Sequence, residues 1–252
     1  MKRIFRNDGR CLVVAIDHGL VMGPLPGIVD PGPAIKAVIK GGADAVMTTL
    51  GIAERYGELI AGKSSFIFSS PVAEDMAPTV ELALKFGADA IRLFVNINGV
   101  DDSAIMASLW SASLACKKYE VPLLAEIYPT KSEKIPNPTD KDVIAKYSRI
   151  GAEAGADFIK TFYTGSVGSF RHVVESCPVP VIVLGGLKME TERQALQVVK
   201  DSMEAGAAGV AFGRNIWQNK DPEGVTRAIA GIIHEGWTVD RALAHAHSAK
   251  RT

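Results

Sequence analysis

Gly155-Ala156-Asp157-Phe158-Ile159-Lys160-Thr161-Phe162-Tyr163 runs from a helix-ending glycine straight into an apolar, aromatic segment. Glycine supplies the left-handed residue that stops a helix, and the residues after it have the composition of a strand buried on both faces. Three shorter echoes repeat the joint: Gly42-Ala43-Asp44-Ala45-Val46, Gly87-Ala88-Asp89-Ala90-Ile91 and Gly206-Ala207-Ala208-Gly209-Val210. Each follows a helical pattern, so the echo marks the αβ joint of a repeated βα unit and has no chemistry of its own.

Outward from these joints, strand-like runs fall at Leu12–Asp17, Ala45–Thr49, Ser65–Ser69, Ala90–Asn96, Pro122–Tyr128, Phe158–Tyr163, Pro180–Leu184 and Gly209–Gly213. That is about eight, the number that closes a barrel. Helical stretches separate them, among them Met76–Phe86, Asp102–Tyr119, Asp140–Ala154, Thr191–Ala205 and Pro222–His234. The alternation predicts a (β/α)8 TIM barrel forming one domain over residues 1–252. A doubly wound sheet is the alternative, but no GxGxxG or Walker pattern follows the first strand. Met22–Pro33 and Thr130–Thr139 read as Pro/Gly-rich loops on the catalytic face of such a barrel.

The totals are those of an ordinary globular protein: 252 residues, 47% hydrophobic and 22% charged. Lysine plus arginine (28) equals aspartate plus glutamate (28), so no basic field favours nucleic acid. No apolar run reaches the roughly 18–20 residues that cross a membrane. The charged start, Met1 to Arg10, has no signal-type apolar region after it. Cys11, Cys116 and Cys177 are odd in number and widely spaced, which argues against disulfides and structural zinc and fits a cytoplasmic location.

Strand side chains alternate between faces, so parity separates lumen from exterior. It places Phe158, Lys160 and Phe162 inside on strand six, and Arg92, Phe94 and Asn96 inside on strand four. Leu124, Glu126 and Tyr128 share a face of strand five; Val13, Ala15 and Asp17 share one of strand one. A lumen holding Asp17, Arg92, Asn96, Glu126, Tyr128 and Lys160 is too polar for packing alone, because unpaired buried charges are costly. A buried lysine must be neutralised, paired or used. Burial lowers a lysine's pKa, and the neutral amine is the nucleophile that forms a Schiff base with a carbonyl. Arg92, Glu126 and Lys160 can form a row across neighbouring strands. In the functional reading Arg92 satisfies Glu126, so that Lys160 is not held as an ammonium partner; a purely structural charge network is the rival, and parity does not separate the two.

Val183-Leu184-Gly185-Gly186 follows strand seven, and Gly213-Arg214-Asn215-Ile216-Trp217 follows strand eight. Loops at these two places in barrels often bind phosphate through backbone N–H groups. Gly185, Gly186 and Gly213 allow close approach to an anion, and Arg214 offers a planar fork for two phosphate oxygens. Trp217 is expected beneath this loop, and Met47, Met76, Met106 and Met203 are expected as core or helix filling.

With both ends placed, the chain resembles the archaeal-type class I fructose-bisphosphate aldolase family of the DeoC/LacD/FbaB aldolase group. The resemblance rests on Ile16-Asp17-His18-Gly19 with Met22-Gly23-Pro24, on Tyr128-Pro129, on Gly155 to Gly165, and on Gly213-Arg214-Asn215-Ile216-Trp217-Gln218. It implies that Lys160 is the Schiff-base lysine, Tyr128 the proton-transferring tyrosine and Asp17 the acid/base residue. It also implies a phosphate cradle at Gly185, Gly186, Gly213 and Arg214, no metal or other cofactor, and a cytoplasmic homo-oligomer, often a decamer. The pattern departs from the family at Thr130-Lys131, where Arg-Gly is usual, at Leu184 for a common serine, and at Ser166 for an acid. Arg92 and Glu126 replace residues that are commonly uncharged or aromatic. These changes cluster around the substrate's carbon chain and leave the lysine chemistry intact.

The expected activity is therefore Schiff-base aldol cleavage or formation in a phosphorylated ketose, with release of dihydroxyacetone phosphate. Arg92, Glu126 and His18 are further candidate substrate contacts, although His18, one residue past Asp17, is expected on the opposite face. A lysine-dependent thiolase of the LsrF type and a transaldolase-like aminodideoxyheptulosonate synthase share the scaffold; the retained Tyr128 speaks against the first. A phosphosugar-binding barrel without catalysis would lack the lysine, tyrosine or aspartate. A metal-dependent aldolase needs clustered histidines, and His18, His172, His234, His245 and His247 form no convincing set.

Overall fold

The three Gly-Ala-Asp joints carry more of the architecture than their glycines suggest. In the computed structural model, which describes residues 1–70 and 76–246, each aspartate grips the start of the preceding strand. The Asp44 amide donates to the Leu12 carbonyl (2.9 Å) while its carboxylate accepts from the Leu12 amide (2.6 Å). Asp89 does the same to Phe66 (2.8 and 2.9 Å), and Asp157 to Leu123 (2.9 and 2.8 Å). A two-bond clasp of this kind satisfies a backbone donor at the strand entrance and pins the register. In the fourth joint Ala208 keeps only the backbone half, its amide donating to the Val181 carbonyl at 2.8 Å. Gly42, Gly87, Gly155 and Gly206 all have φ between 75° and 99°, as helix-stopping residues should.

The strands are β1 (Cys11–Ala15), β2 (Ala45–Thr48), β3 (Ser65–Ser70), β4 (Ala90–Ile97), β5 (Leu123–Pro129), β6 (Phe158–Thr161), β7 (Val181–Leu184) and β8 (Gly209–Phe212). They pair in parallel and in sequence order, and β8 closes on β1. The predicted (β/α)8 barrel is the observed fold. The helices are α1 (Gly19–Met22), α2 (Pro31–Lys40), α3 (Leu50–Ile60), α4 (Met76–Lys85), α5 (Asp102–Lys118) and α6 (Lys141–Glu153). After them come α7 (Val167–Glu175), α8 (Glu192–Glu204), α9 (Arg214–Trp217), α10 (Pro222–Glu235) and α11 (Val239–Ala246). Pro31 and Pro33, expected in a loop, belong to α2. Proline in the first turn forfeits no helical hydrogen bond, and the Asp30 carboxylate caps the Gly32 amide.

Two apolar layers result. Ile91, Leu93, Val95, Ala125 and Ile127 face the helices, while Val13, Ala15, Met47, Leu124, Phe158 and Ile182 fill the lumen floor. Ile4 and Phe5 plug the barrel from below, with Phe5 edge-on to Phe158 at 5.5 Å. Phe162, assigned to the lumen by parity, lies past the end of β6, packing on the outer layer while its ring meets Tyr128 at 4.7 Å. Met47 and Met76 are buried, but Met106 is 46% exposed beside Trp110 on α5, so it is not core filling. His245 stacks on Trp237, and His247 lies outside the described residues. Among the described residues no helix is long and apolar enough to cross a membrane.

Candidate active site

β5 and β6 set Glu126 opposite Lys160 in register, while β4 sets Arg92 opposite Leu124, two residues before Glu126, from where its long side chain reaches the glutamate. Lys160 is 5% exposed, and its Nζ lies 2.8 Å from Glu126 Oε1. The other oxygen of Glu126 accepts from Arg92 Nε and Nη2, both at 2.5 Å. Arg92 Nη1 also donates to Ser69 Oγ at 3.2 Å, and Ser69 Oγ donates to Asp17 Oδ2 at 2.7 Å. One hydrogen-bonded chain thus crosses the lumen from β6 through β5, β4 and β3 to the end of β1. It alternates cation and anion: Lys160, Glu126, Arg92, then Asp17 through the serine.

This corrects the expectation that Arg92 alone would satisfy Glu126. The carboxylate has two oxygens, and Arg92 occupies only one, which leaves the second for Lys160. Arg92 and Glu126, named from the sequence as substrate contacts, are spent on each other and on the lysine. The same pairing suits a Schiff base, since an iminium replaces the ammonium as the cation beside Glu126.

Asp17 is held well below the usual carboxylate range. Burial pushes it upward, but His18 and the charges of Arg92 and Lys160 outweigh that effect, so it stands as a carboxylate. His18 does not face away from Asp17. The strand ends at Ala15, so alternation no longer applies, and His18 already has helical backbone angles at the cap of α1. Its Nδ1 sits 3.4 Å from Asp17 Oδ1, and its ring stands edge-on to Trp217 at 5.4 Å. Trp217 is buried as expected and donates from Nε1 to the Ala15 carbonyl at 2.9 Å.

Tyr128 lies two residues beyond Glu126 on the same face of β5, about 6–7 Å higher toward the open end. Its ring packs between Phe94 (5.2 Å) and Phe162 (4.7 Å). Asn96 reaches the same face but stands exposed at the mouth, where it accepts from Thr130 Oγ1 at 3.1 Å. Asp17, His18, Arg92, Glu126, Tyr128, Lys160 and Arg214 all line one cavity of about 660 Å3 at the C-terminal end of the strands.

The glycines expected as a phosphate cradle have divided duties. The Gly185 amide donates to the Ala211 carbonyl at 3.2 Å, and a Cβ there would stand 3.0 Å from the Phe212 ring, so Gly185 serves packing. Gly213 makes room for His18, whose Cε1 would be 2.6 Å from an added Cβ. Gly186, at φ 62°, has open space around its α-carbon. Arg214 reaches the cavity, and its buried Nε has no hydrogen-bond partner. Asn215 holds the two loops together: it accepts from the Met189 amide (2.8 Å) and donates to the carbonyls of Gly185 (2.9 Å) and Leu187 (3.2 Å). Sequence reasoning assigned no role to Asn215 or to Ser69. The first lies inside the Gly-Arg-Asn-Ile-Trp-Gln run; the second has no motif around it. Among the described residues no group of three or more His, Cys, Asp or Glu could hold a metal ion.

The fold and this cavity define a barrel enzyme of the aldolase type. The chain belongs to the DeoC/LacD aldolase family, whose sequence profile it matches over residues 11–219. It is 34% identical over 251 residues to 2-amino-3,7-dideoxy-D-threo-hept-6-ulosonate synthase of Halobacterium salinarum, covering 95% of this chain and 92% of that one. It is 30% identical over 259 residues to 2-amino-4,5-dihydroxy-6-oxo-7-(phosphonooxy)heptanoate synthase of Streptomyces griseus, covering 99% and 94%. The solved structure of a Schiff-base-forming fructose-1,6-bisphosphate aldolase superposes with a TM-score of 0.82 at 31% identity, covering 92% of this chain and 97% of that one.

Proposed function

We propose that this aldolase works through a Schiff base on Lys160 and acts on a phosphorylated ketose, releasing dihydroxyacetone phosphate when it cleaves. The observation that carries the reading is a buried amine opening, together with an ionised carboxylate and a phenol, onto one cavity that also receives Arg214. The Lys160 ammonium passes a proton to Glu126, 2.8 Å away, the freed amine adds to the ketone, and that proton leaves with the carbinolamine oxygen as water, giving an iminium beside Glu126. The electrons of the neighbouring carbon–carbon bond flow into the iminium, an aldehyde departs and an enamine remains. Asp17 takes the hydroxyl proton in that step, and Tyr128 exchanges protons with the carbinolamine and enamine. Protonation of the enamine and return of water free the ketone and the lysine. Arg214 and the Gly186 backbone bind the phosphate, which fixes the carbonyl against the amine. The lysine itself is the only covalent catalyst this chemistry needs.

A second reading has the enzyme run as a synthase. The 34% identity to the Halobacterium salinarum synthase favours it, and the same lysine intermediate serves condensation and cleavage alike. The test is a panel of phosphorylated ketoses assayed for release of dihydroxyacetone phosphate. Release by the wild-type enzyme and none by Lys160→Met is the expected result. Turnover that survives Lys160→Met would exclude the lysine route.

A further inference from the structure

A second cavity, of about 650 Å3, adjoins the lysine cavity and shares Asp17, Leu20 and Ser69 with it. It lies over the ends of β1, β2 and β3, bounded by the loop after β1 and by α3 and α4. Its wall is apolar: Val29, Leu50, Ile52, Phe68 and Leu82 are its larger side chains. Among the described residues no lysine, arginine or histidine lines it. Leu20 and Val29, both on its wall, are 55% and 72% exposed. An apolar patch gathered at the mouth of a cavity is a mark of a ligand site, whereas scattered exposed apolar residues are ordinary.

We infer that this cavity receives the aldehyde half of the substrate, and that this half ends in an uncharged apolar chain. The inference rests on the lysine reading above. Asp17 takes the hydroxyl proton at the bond that breaks, so the carbon that becomes the aldehyde stands at Asp17. With the ketone at Lys160 on β6 and the phosphate at Arg214 after β8, the rest of the chain continues past Asp17 over β1 to β3. The space there is this cavity. A second phosphate or a carboxylate entering it would lose its water beside the Asp17 carboxylate with no lysine, arginine or histidine among the described lining residues, which is unfavourable. Methylenes entering it gain by leaving water. In the condensation direction the enamine carbon bonds to the aldehyde carbon, and the proton that the iminium lost in becoming the enamine is returned by way of Asp17 to the aldehyde oxygen, so the step needs no further reactant.

The test condenses dihydroxyacetone phosphate with propanal, butanal, pentanal and hexanal, and with glyceraldehyde and glyceraldehyde 3-phosphate. Along the aliphatic series kcat/KM is expected to rise about fourfold per methylene. Glyceraldehyde 3-phosphate is expected to react more slowly than glyceraldehyde. Leu50→Arg, at a partly exposed position on the wall, should flatten the aliphatic series and favour the phosphorylated aldehyde. Borohydride trapping of dihydroxyacetone phosphate on Lys160 in the variant reports that the lysine cavity is intact. Binding of 1-hexanol, followed by saturation-transfer NMR and weakened by Leu50→Arg, reads the cavity without any donor. A flat or falling chain-length series, a preference for glyceraldehyde 3-phosphate, or no hexanol binding overturns the inference. Failure of the trap with hexanol still bound would instead overturn the lysine reading.

Discussion

Replacing Glu126 by glutamine leaves the shape of the lumen nearly unchanged and removes the charge that is paired directly with both Arg92 and Lys160. The three side chains are 13%, 7% and 6% exposed, so water screens little of the change. Stranding a buried ionic partner costs about 3–5 kcal/mol. Glu126→Gln should therefore lower unfolding stability by about that much, read as a reduced midpoint in urea at neutral pH with unchanged m-value. Lys160→Met should cost less, because Arg92 still neutralises Glu126. Adding Lys160→Met to Glu126→Gln should recover part of the loss, since one stranded cation is gone. Glu126→Gln also loses a charged partner for the iminium, so reductive trapping with dihydroxyacetone phosphate should slow by about 10- to 100-fold. A Glu126→Gln protein within about 0.5 kcal/mol of wild type, the ordinary range for surface substitutions, would refute the description of the lumen as a tightly coupled charge chain.

Other consequences can be checked singly. Burial alone would lower the pKa of His234, but its bonds to Asp44 (2.9 Å) and Asp8 (2.7 Å) raise it above the ordinary 6.5, while Asp8 is lowered from 3.8. The stability lost in His234→Gln should thus be largest between those two ordinary values and shrink as pH rises through the raised His234 value; a pH-independent difference in urea midpoint would contradict this. Gly213→Ala sets a methyl 2.6 Å from His18 Cε1 and 2.8 Å from the Ala15 carbonyl, so it should destabilise by about 1–3 kcal/mol and disturb the pH profile of turnover. Phe5→Ala opens the lumen floor beside Phe158 and should cost about 3–5 kcal/mol in thermal or urea unfolding; an unchanged midpoint would show that the N-terminal plug carries no load.

Much of the barrel is legible because its signals are local. A helix-ending glycine before an apolar run marks the αβ joints at Gly42, Gly87, Gly155 and Gly206, and alternation assigns lumen or exterior residue by residue. That was enough to put Arg92, Glu126, Tyr128 and Lys160 on one wall. It was not enough to give Lys160 its partner, because sharing Glu126 between two cations depends on which oxygen each reaches. Nor does alternation extend past a strand's end, so it gives the wrong faces for His18 and Phe162. Ile4 and Phe5 were missed for another reason: two apolar residues in a charged segment have no periodicity, and only the closed barrel creates the hole they fill. The aspartates of the joints look like loop polarity until the neighbouring strand supplies the amide each one holds. Gly185 and Gly213 were read from their position after β7 and β8, whereas the rings of Phe212 and His18, set by tertiary packing, decide their duties.

The most direct measurement is reductive trapping followed by peptide mapping. The wild-type protein, incubated with dihydroxyacetone phosphate and borohydride, should gain one covalent adduct on the peptide containing Lys160, and Lys160→Met should gain none. An unmodified Lys160, or an adduct placed on another lysine, would contradict the account.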